Sequence, residues 1–318
     1  MQKSFGFDTL LFMLQLFLLH TVAWDTHHDR YNHTVQDLHI MKKSYPTGIN
    51  STMVDNNHTI LNEKQIFLRG MNTSFISNHR PSNRYDQVST VTTTATVNAQ
   101  RLPYFGGPVI ANVKVVTIWW GAQVRYTSQL ESFYSAITTS NWYRIFTQYN
   151  TSITPNIGYG QWIQSYNYSN APNGTVTDEQ SQTHLQLLIS TRKVPQVDNN
   201  TYYAIHFAPG IKIDIGSYVS CMSYCAYHYT MWNVNTNGKV NSKYPYIYYG
   251  VMPDQGGGCS YGCGADPVPL NNLFLVASHE LAEVVTDPCV GVITDYAYPL
   301  AWYSITEGEV GDICTGIP

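Results

Sequence analysis

At 318 residues, with a formal net charge of −4 and only 12% charged side chains, the chain lacks the basic surplus that nucleic-acid binding requires, and no basic cluster or nucleic-acid motif interrupts it. Aromatic residues reach 14%, with 25 Tyr, so neutral polar groups and tyrosine dominate the surface chemistry. Such a surface suits contact with an extracellular protein or a glycan, although the plainer role of tyrosine is to fill strands.

The N-terminus has the three parts of a secretory signal. Lys3 supplies the positive charge, Leu10 to Leu19 an apolar run, and Thr21-Val22-Ala23 the small residues of a cleavage site. The apolar run is about half the ~20 residues a membrane-spanning helix needs. Residues 1–23 therefore read as a signal peptide cleaved near Ala23, and no membrane span is expected elsewhere. Residues 24–100 show no sustained apolar period and are rich in His, Asn, Ser and Thr, with a low-complexity run at Ser89 to Thr96. A segment of that composition buries too little apolar surface to offset its chain entropy, so a disordered leader, either propeptide or stalk, is expected. Eight Asn-X-Ser/Thr sequons, at Asn32, Asn50, Asn57, Asn72, Asn150, Asn167, Asn173 and Asn199, all precede residue 200 and would carry glycans on the surface.

From Arg101 to the C-terminus the pattern becomes that of one folded domain, residues 101–318. Val113 to Trp120 reads as a buried strand. Leu130, Phe133 and Ile137 share a helical face, and Trp142, Ile145, Phe146 and Tyr149 repeat it. Asn156 to Tyr166 reads as turn and strand. Thr177-Asp178-Glu179-Gln180 is a capping box opening a helix through Ile189. Tyr202 to Phe207 and Tyr246 to Met252 read as strands, separated from a helix over Asn272 to Val285 by a Gly- and Cys-rich loop at 254–264. Strands alternate with helices, and the expected class is α+β, a mixed sheet with flanking helices of zincin-like character.

The last helix carries the chemistry. In Ser278-His279-Glu280-Leu281-Ala282-Glu283, the four-residue spacing puts His279 and Glu283 on one helix face, where both can bind one ion. Glu280 is rotated by about 100°. In zinc hydrolases that offset position holds the general base, so Glu280 is the expected catalytic residue. A third ligand must come from elsewhere. Glu309 and Asp312 supply it by analogy with gluzincin-type metalloproteases, one binding the metal and the other orienting His279. Four of the seven Glu in the chain fall between 280 and 309, more than solvation needs. One imidazole with two carboxylates is a harder donor set than most zinc sites, so zinc is expected with manganese or calcium as competitors. His228 reads as a structural contact beside a disulfide rather than a ligand. The six cysteines suit an oxidising compartment, and disulfides are favoured over a four-thiolate zinc site.

Several segments, taken in order, resemble the EXORDIUM-like, phosphate-induced protein family. They are Tyr104-Phe105-Gly106-Gly107-Pro108-Val109 with Val116 to Gly121, Trp142-Tyr143-Arg144, Cys221 to His228 with Ala226 where that family has Gly, and Cys259 to Cys263. His279 to Glu283, Thr286-Asp287-Pro288, Ala301-Trp302-Tyr303 and Glu309 to Cys314 continue the pattern. The resemblance implies an extracellular or cell-wall protein associated with growth, without an assigned reaction. Many plant members lack the His of the metal-like motif, which this chain keeps as His279. The family usually continues past the Asp-x-Cys step, so the chain reads as a C-terminally truncated copy. Local spacing and the family's paired motifs suggest the pairs Cys221–Cys225, Cys259–Cys263 and Cys289–Cys314. Two functions follow: a secreted metal-dependent peptidase or other hydrolase, or a non-enzymatic extracellular growth or signalling protein with a structural metal.

Overall fold

The apolar run at residues 114–120 becomes β1 (Lys114–Trp120), buried along nearly its whole length. The computed structural model describes residues 102–313, apart from 152–155, 170–173, 217, 236, 258, 260–262, 265, 293–295 and 307. The signal peptide, the leader, the sequons at Asn32, Asn50, Asn57, Asn72 and Asn173, and Cys314 lie outside these residues. Of the other sequons, Asn167 and Asn199 are exposed. Asn150 is half-buried, and its Oδ1 accepts the Ile157 amide at 2.6 Å.

After β1 come α1 (Thr127–Ile137), a 3₁₀ helix (Tyr143–Tyr149), β2 (Gln161–Tyr168), β3 (Thr175–Thr177) and α2 (Asp178–Ser190). Then follow β4 (Thr201–Phe207), β5 (Lys212–Asp214), β6 (Tyr227–Trp232), β7 (Tyr246–Met252) and α3 (Pro269–Thr286). The main sheet has the order β2-β1-β4-β7-β6, and β3 pairs with β5 separately. β2, β1, β4 and β7 run parallel, and only β6 is antiparallel to its neighbour. The mixed sheet and its flanking helices match the expectation. The class is α/β rather than α+β, because helical connections between parallel strands cover both sheet faces. On one face Ile118, Tyr203, Ile205, Tyr249 and Val251 pack with Leu185 and Leu188 of α2. On the other, Val115, Tyr202, Ala204 and Tyr248 pack with Leu130 of α1 and Val276 and Leu281 of α3.

Two local readings change. The stretch after α1 is a 3₁₀ helix, in which side chains three apart align. Tyr143 and Phe146 are therefore buried, while Ile145, expected on the same face, is 48% exposed. β6 was not foreseen from the sequence. Its alternation is masked because Tyr227, Tyr229 and Met231 face the α2 side while the polar His228 and Thr230, also buried, face α3.

The disulfides correct the local pairing scheme. Cys221 joins Cys259 and Cys225 joins Cys263, with Cα separations of 4.3 and 5.2 Å. The reason is topological. β6 and β7 are antiparallel neighbours, so the segment entering β6 and the loop leaving β7 meet at one end of the sheet. The two Cys-x3-Cys pairs therefore bond to each other, and Gln255 reinforces the junction by donating to the Cys225 carbonyl at 3.0 Å. Cys289 is a buried free thiol, and Cys314, its expected partner, lies outside the described residues. Non-reducing peptide mapping should recover the 221–259 and 225–263 crosslinks and no peptide closed by 221–225 alone.

The capping box at Thr177 forms as read, with Thr177 Oγ1 accepting the Gln180 amide at 3.2 Å and Gln180 Oε1 accepting the Thr177 amide at 2.9 Å. The next residue, Asp178, is buried in the first turn of α2, where the helix dipole favours a negative charge. Its Oδ1 accepts from Tyr227 Oη at 2.7 Å and Tyr249 Oη at 2.8 Å, and its Oδ2 accepts from Gln182 at 2.9 Å. This carboxylate ties α2 to β6 and β7. Asp178→Ala leaves two buried tyrosine hydroxyls without that acceptor and should cost about 3 kcal/mol, read as a lower urea midpoint at unchanged m-value.

Candidate metal centre

α3 positions most of the site. Pro269 occupies the first turn, where a missing N–H costs nothing, and so the helix starts earlier than Asn272. It ends at Thr286, one residue before Asp287-Pro288, in keeping with the restriction a proline places on the residue before it. Apolar Leu273, Val276, Ala277, Leu281 and Val284 fasten the helix to the sheet. Glu280 and Glu283 are each only 2% exposed, so the helix carries its two carboxylates into the interior as well.

β6 delivers a partner for them. His228 is completely buried, and its Nδ1 lies 3.5 Å from Glu280 Oε2 and 3.4 Å from Glu283 Oε2. Its other ring nitrogen lies 3.5 Å from Glu309 Oε1 and 3.3 Å from the Asp287 carbonyl. The strand is held there by Thr230, whose amide donates to the Val290 carbonyl at 2.9 Å and whose hydroxyl donates to the Pro288 carbonyl. On the outer side of the helix, His279 Nε2 lies 2.9 Å from Glu283 Oε1 and 3.5 Å from Asp312 Oδ1.

The chain returns to the helix through residues 300–312. The Ala301 amide donates to Asp287 Oδ1 at 2.7 Å, and Trp302 Nε1 donates to the Tyr149 carbonyl at 2.7 Å. A turn then closes between Glu309 and Asp312, with the Asp312 amide donating to the Glu309 carbonyl at 3.1 Å. Gly311 lets this turn pass directly over the site, since a Cβ there would stand 2.7 Å from Glu283 Oε1 and from the His279 ring.

Among the described residues, two groups could hold a metal ion: His228, Glu280 and Glu283, and His279, Glu283 and Asp312. The structure thus brings His279, Glu283 and Asp312 together. It places Glu309 against His228 instead of His279, and turns Glu280 toward His228 as well. His228, set aside as a structural contact, is part of the first group. Its signal in the sequence was the polar alternation of His228 and Thr230 within a run rich in aromatic residues.

So many carboxylates in one interior shift one another. Burial, joined by the negative charges of Glu283, Asp287 and Asp312 and opposed by His228, lifts Glu309 well above the usual carboxylate range. Burial likewise raises Asp287 to about 7 and Asp312 to about 6. Burial also raises Glu280. Burial works against Glu283 too, but His279 and His228 outweigh it and hold that carboxyl at about 2. For both histidines burial favours the neutral ring, and the surrounding carboxylates overcome it, so each keeps its proton well above the ordinary imidazole value. Glu280 Oε2, Glu283 Oε1 and Glu309 Oε1 are nonetheless buried without a well-formed hydrogen bond. Buried oxygens in that condition are costly unless a cation satisfies them.

No family model, no curated protein and no solved structure matches the chain.

The shifts set the pH dependence of the metal-free fold. Asp312, Asp287 and Glu309 bind protons more tightly folded than unfolded, so their contribution is fully present below an ordinary carboxylate pKa of about 4. It is lost as pH rises through about 6 for Asp312 and about 7 for Asp287. The two histidines lose their contribution in the same direction, as pH rises through their raised values. Glu283 acts oppositely, its contribution being lost only as pH falls toward about 2. Chelator-treated protein should therefore melt at a higher temperature near pH 5 than near pH 8, and saturating divalent metal should reverse the order. Calorimetric scans at the two pH values check this, and equal melting temperatures would contradict it.

Proposed function

We propose that this chain is a secreted, divalent-metal-dependent hydrolase whose reactive ion is held by His279, Glu283 and Asp312. The observation that carries this reading is a difference in exposure between two donor groups that share Glu283. The side chains of His279 and Asp312 are 29% and 12% exposed, whereas those of His228 and Glu280 are 0% and 2% exposed. A catalytic ion needs an open coordination position that substrate can reach, and the outer group is the more exposed of the two. Glu283 is held ionised by the two histidines before any ion binds, so an incoming ion meets it as a carboxylate.

A bound ion there would polarise a scissile carbonyl and generate hydroxide near neutral pH. The chain's own residues do the rest. Glu283 and Asp312 balance the ion's charge, His279 fixes its position, and Gly311 lets the covering turn lie close. The sequence spacing assigned Glu280 the role of base. Its burial and its direction toward His228 support a place behind the reactive ion instead, on the inner side of the centre. The donor set of one imidazole and two carboxylates binds zinc with little selectivity and admits manganese. Secretion is supported by the two disulfides, and no helix among the described residues is long and apolar enough to cross a membrane.

A second reading draws on the complete burial of His228. A closed ion on the inner group would be structural, and the chain would then be a non-enzymatic extracellular or wall-associated protein, as the resemblance to the EXORDIUM-like family implies. Activity assays separate the two. The purified secreted protein should cleave members of a peptide or ester library, lose that activity to a chelator and regain it with zinc or manganese. His279→Ala should weaken metal binding by at least about 100-fold and abolish turnover, because loss of even an outer-shell partner costs 10- to 100-fold. Hydrolysis that survives complete metal removal would refute the hydrolase reading.

A further inference from the structure

The two donor groups meet in one residue. Glu283 sends Oε1 to His279 Nε2 and Oε2 to His228 Nδ1, at 2.9 and 3.4 Å. A carboxylate whose oxygens face two imidazoles from opposite sides has the disposition of a bridging ligand. We propose that the centre is dinuclear, with Glu283 bridging an inner ion on His228 and Glu280 and an outer ion on His279 and Asp312. The proposal rests on the metal-centre reading above and extends it to a second ion.

The separations support it. Two donors about 2.1 Å from one ion stand about 3.0 Å apart at an octahedral angle and about 3.4 Å apart at a tetrahedral one. His228 Nδ1 lies 3.5 Å from Glu280 Oε2 and 3.4 Å from Glu283 Oε2, and His279 Nε2 lies 3.5 Å from Asp312 Oδ1. A charge-assisted hydrogen bond would draw such pairs to about 2.7–2.9 Å. Only the His279–Glu283 pair, at 2.9 Å, has that length. In each group, one donor atom from each residue lies within 4.8 Å of the others. The two oxygens of one carboxylate naturally span ions about 3.5–4 Å apart, the spacing of two-metal hydrolytic sites.

The inner group carries an independent observation that points to a cation. Glu280 Oε2 is buried and lacks a well-formed hydrogen bond. Behind His228, Glu309 Oε1 and the Asp287 carbonyl face Nε2, which leaves Nδ1 directed at the two carboxylates. That is the arrangement in which an outer carboxylate or carbonyl fixes the ring of a metal-binding histidine. Charge points the same way. Glu280, Glu283, Asp287, Glu309 and Asp312 are five carboxylates around the two rings.

The test uses the full secreted chain, stripped with a chelator and reloaded with Mn²⁺ alone. Elemental analysis should return two ions per chain, and paramagnetic resonance should show a spin-coupled pair in place of isolated Mn²⁺. Asp312→Asn, at the half-buried rim, and Glu280→Gln, on the inner side, should each reduce the stoichiometry to one and restore the isolated-ion spectrum. If a variant fails to fold, the stoichiometry and coupling of the wild-type protein decide the matter. One uncoupled ion in the wild-type chain would overturn the dinuclear proposal and leave a single-ion hydrolase standing. No bound ion would overturn both.

Discussion

Carboxylates cannot share a protein interior without a counter-charge, and that constraint governs the C-terminal half of this fold. Two unit charges about 4 Å apart interact by about 4 kcal/mol even at an effective dielectric of about 20. Glu280, Glu283, Asp287 and Glu309 are all essentially buried, and Asp312 stands at the rim. His228 and His279 are the only cationic side chains placed among them by the ion pairs of the described residues. Without metal, protons must supply the balance, which is why burial lifts most of these acids while Glu283, between both histidines, falls. His228, Glu280, Glu283, His279 and Asp312 are also the residues that could hold a metal ion.

The rest of the fold holds that arrangement in place. α3 is fastened to the sheet by its apolar side, and β6 is fastened to the end of α3 by Thr230. The two disulfides lock the entry to β6 against the exit of β7, so His228 sits three residues beyond a crosslinked cysteine. On the opposite sheet face, Asp178 binds the hydroxyls of Tyr227 and Tyr249, the immediate neighbours of His228 and Gly250 along their strands. A substitution in that distant network would therefore loosen the strand that carries His228.

Much of the scaffold was legible in the sequence. β1, β4, β7, the capping box and the final helix declare themselves through apolar runs, turn residues and helical spacing, all of which are local signals. The pairing of His279 with Glu283 follows from helix geometry alone, because residues four apart share a face in any α-helix. β6 was hidden, since its buried polar residues His228 and Thr230 interrupt the apolar pattern by which a strand is recognised. The disulfide pairing was misjudged for a related reason. Sequence spacing favours the near partner, while the antiparallel β6–β7 pair brings the distant one closer.

By itself, then, the sequence determined what is local: the alternation of strands and helices, and a helix that presents His279 and Glu283 together. Tertiary structure alone decided what meets that helix. Two residues 51 positions apart, His228 and His279, come to flank one carboxylate because strand order and an antiparallel edge place β6 beside α3. It likewise decided that Asp312 faces His279 while Glu309 faces His228, since a tight turn points residues three apart in different directions. Such contacts depend on packing between elements remote in the chain, and no spacing within either segment encodes them.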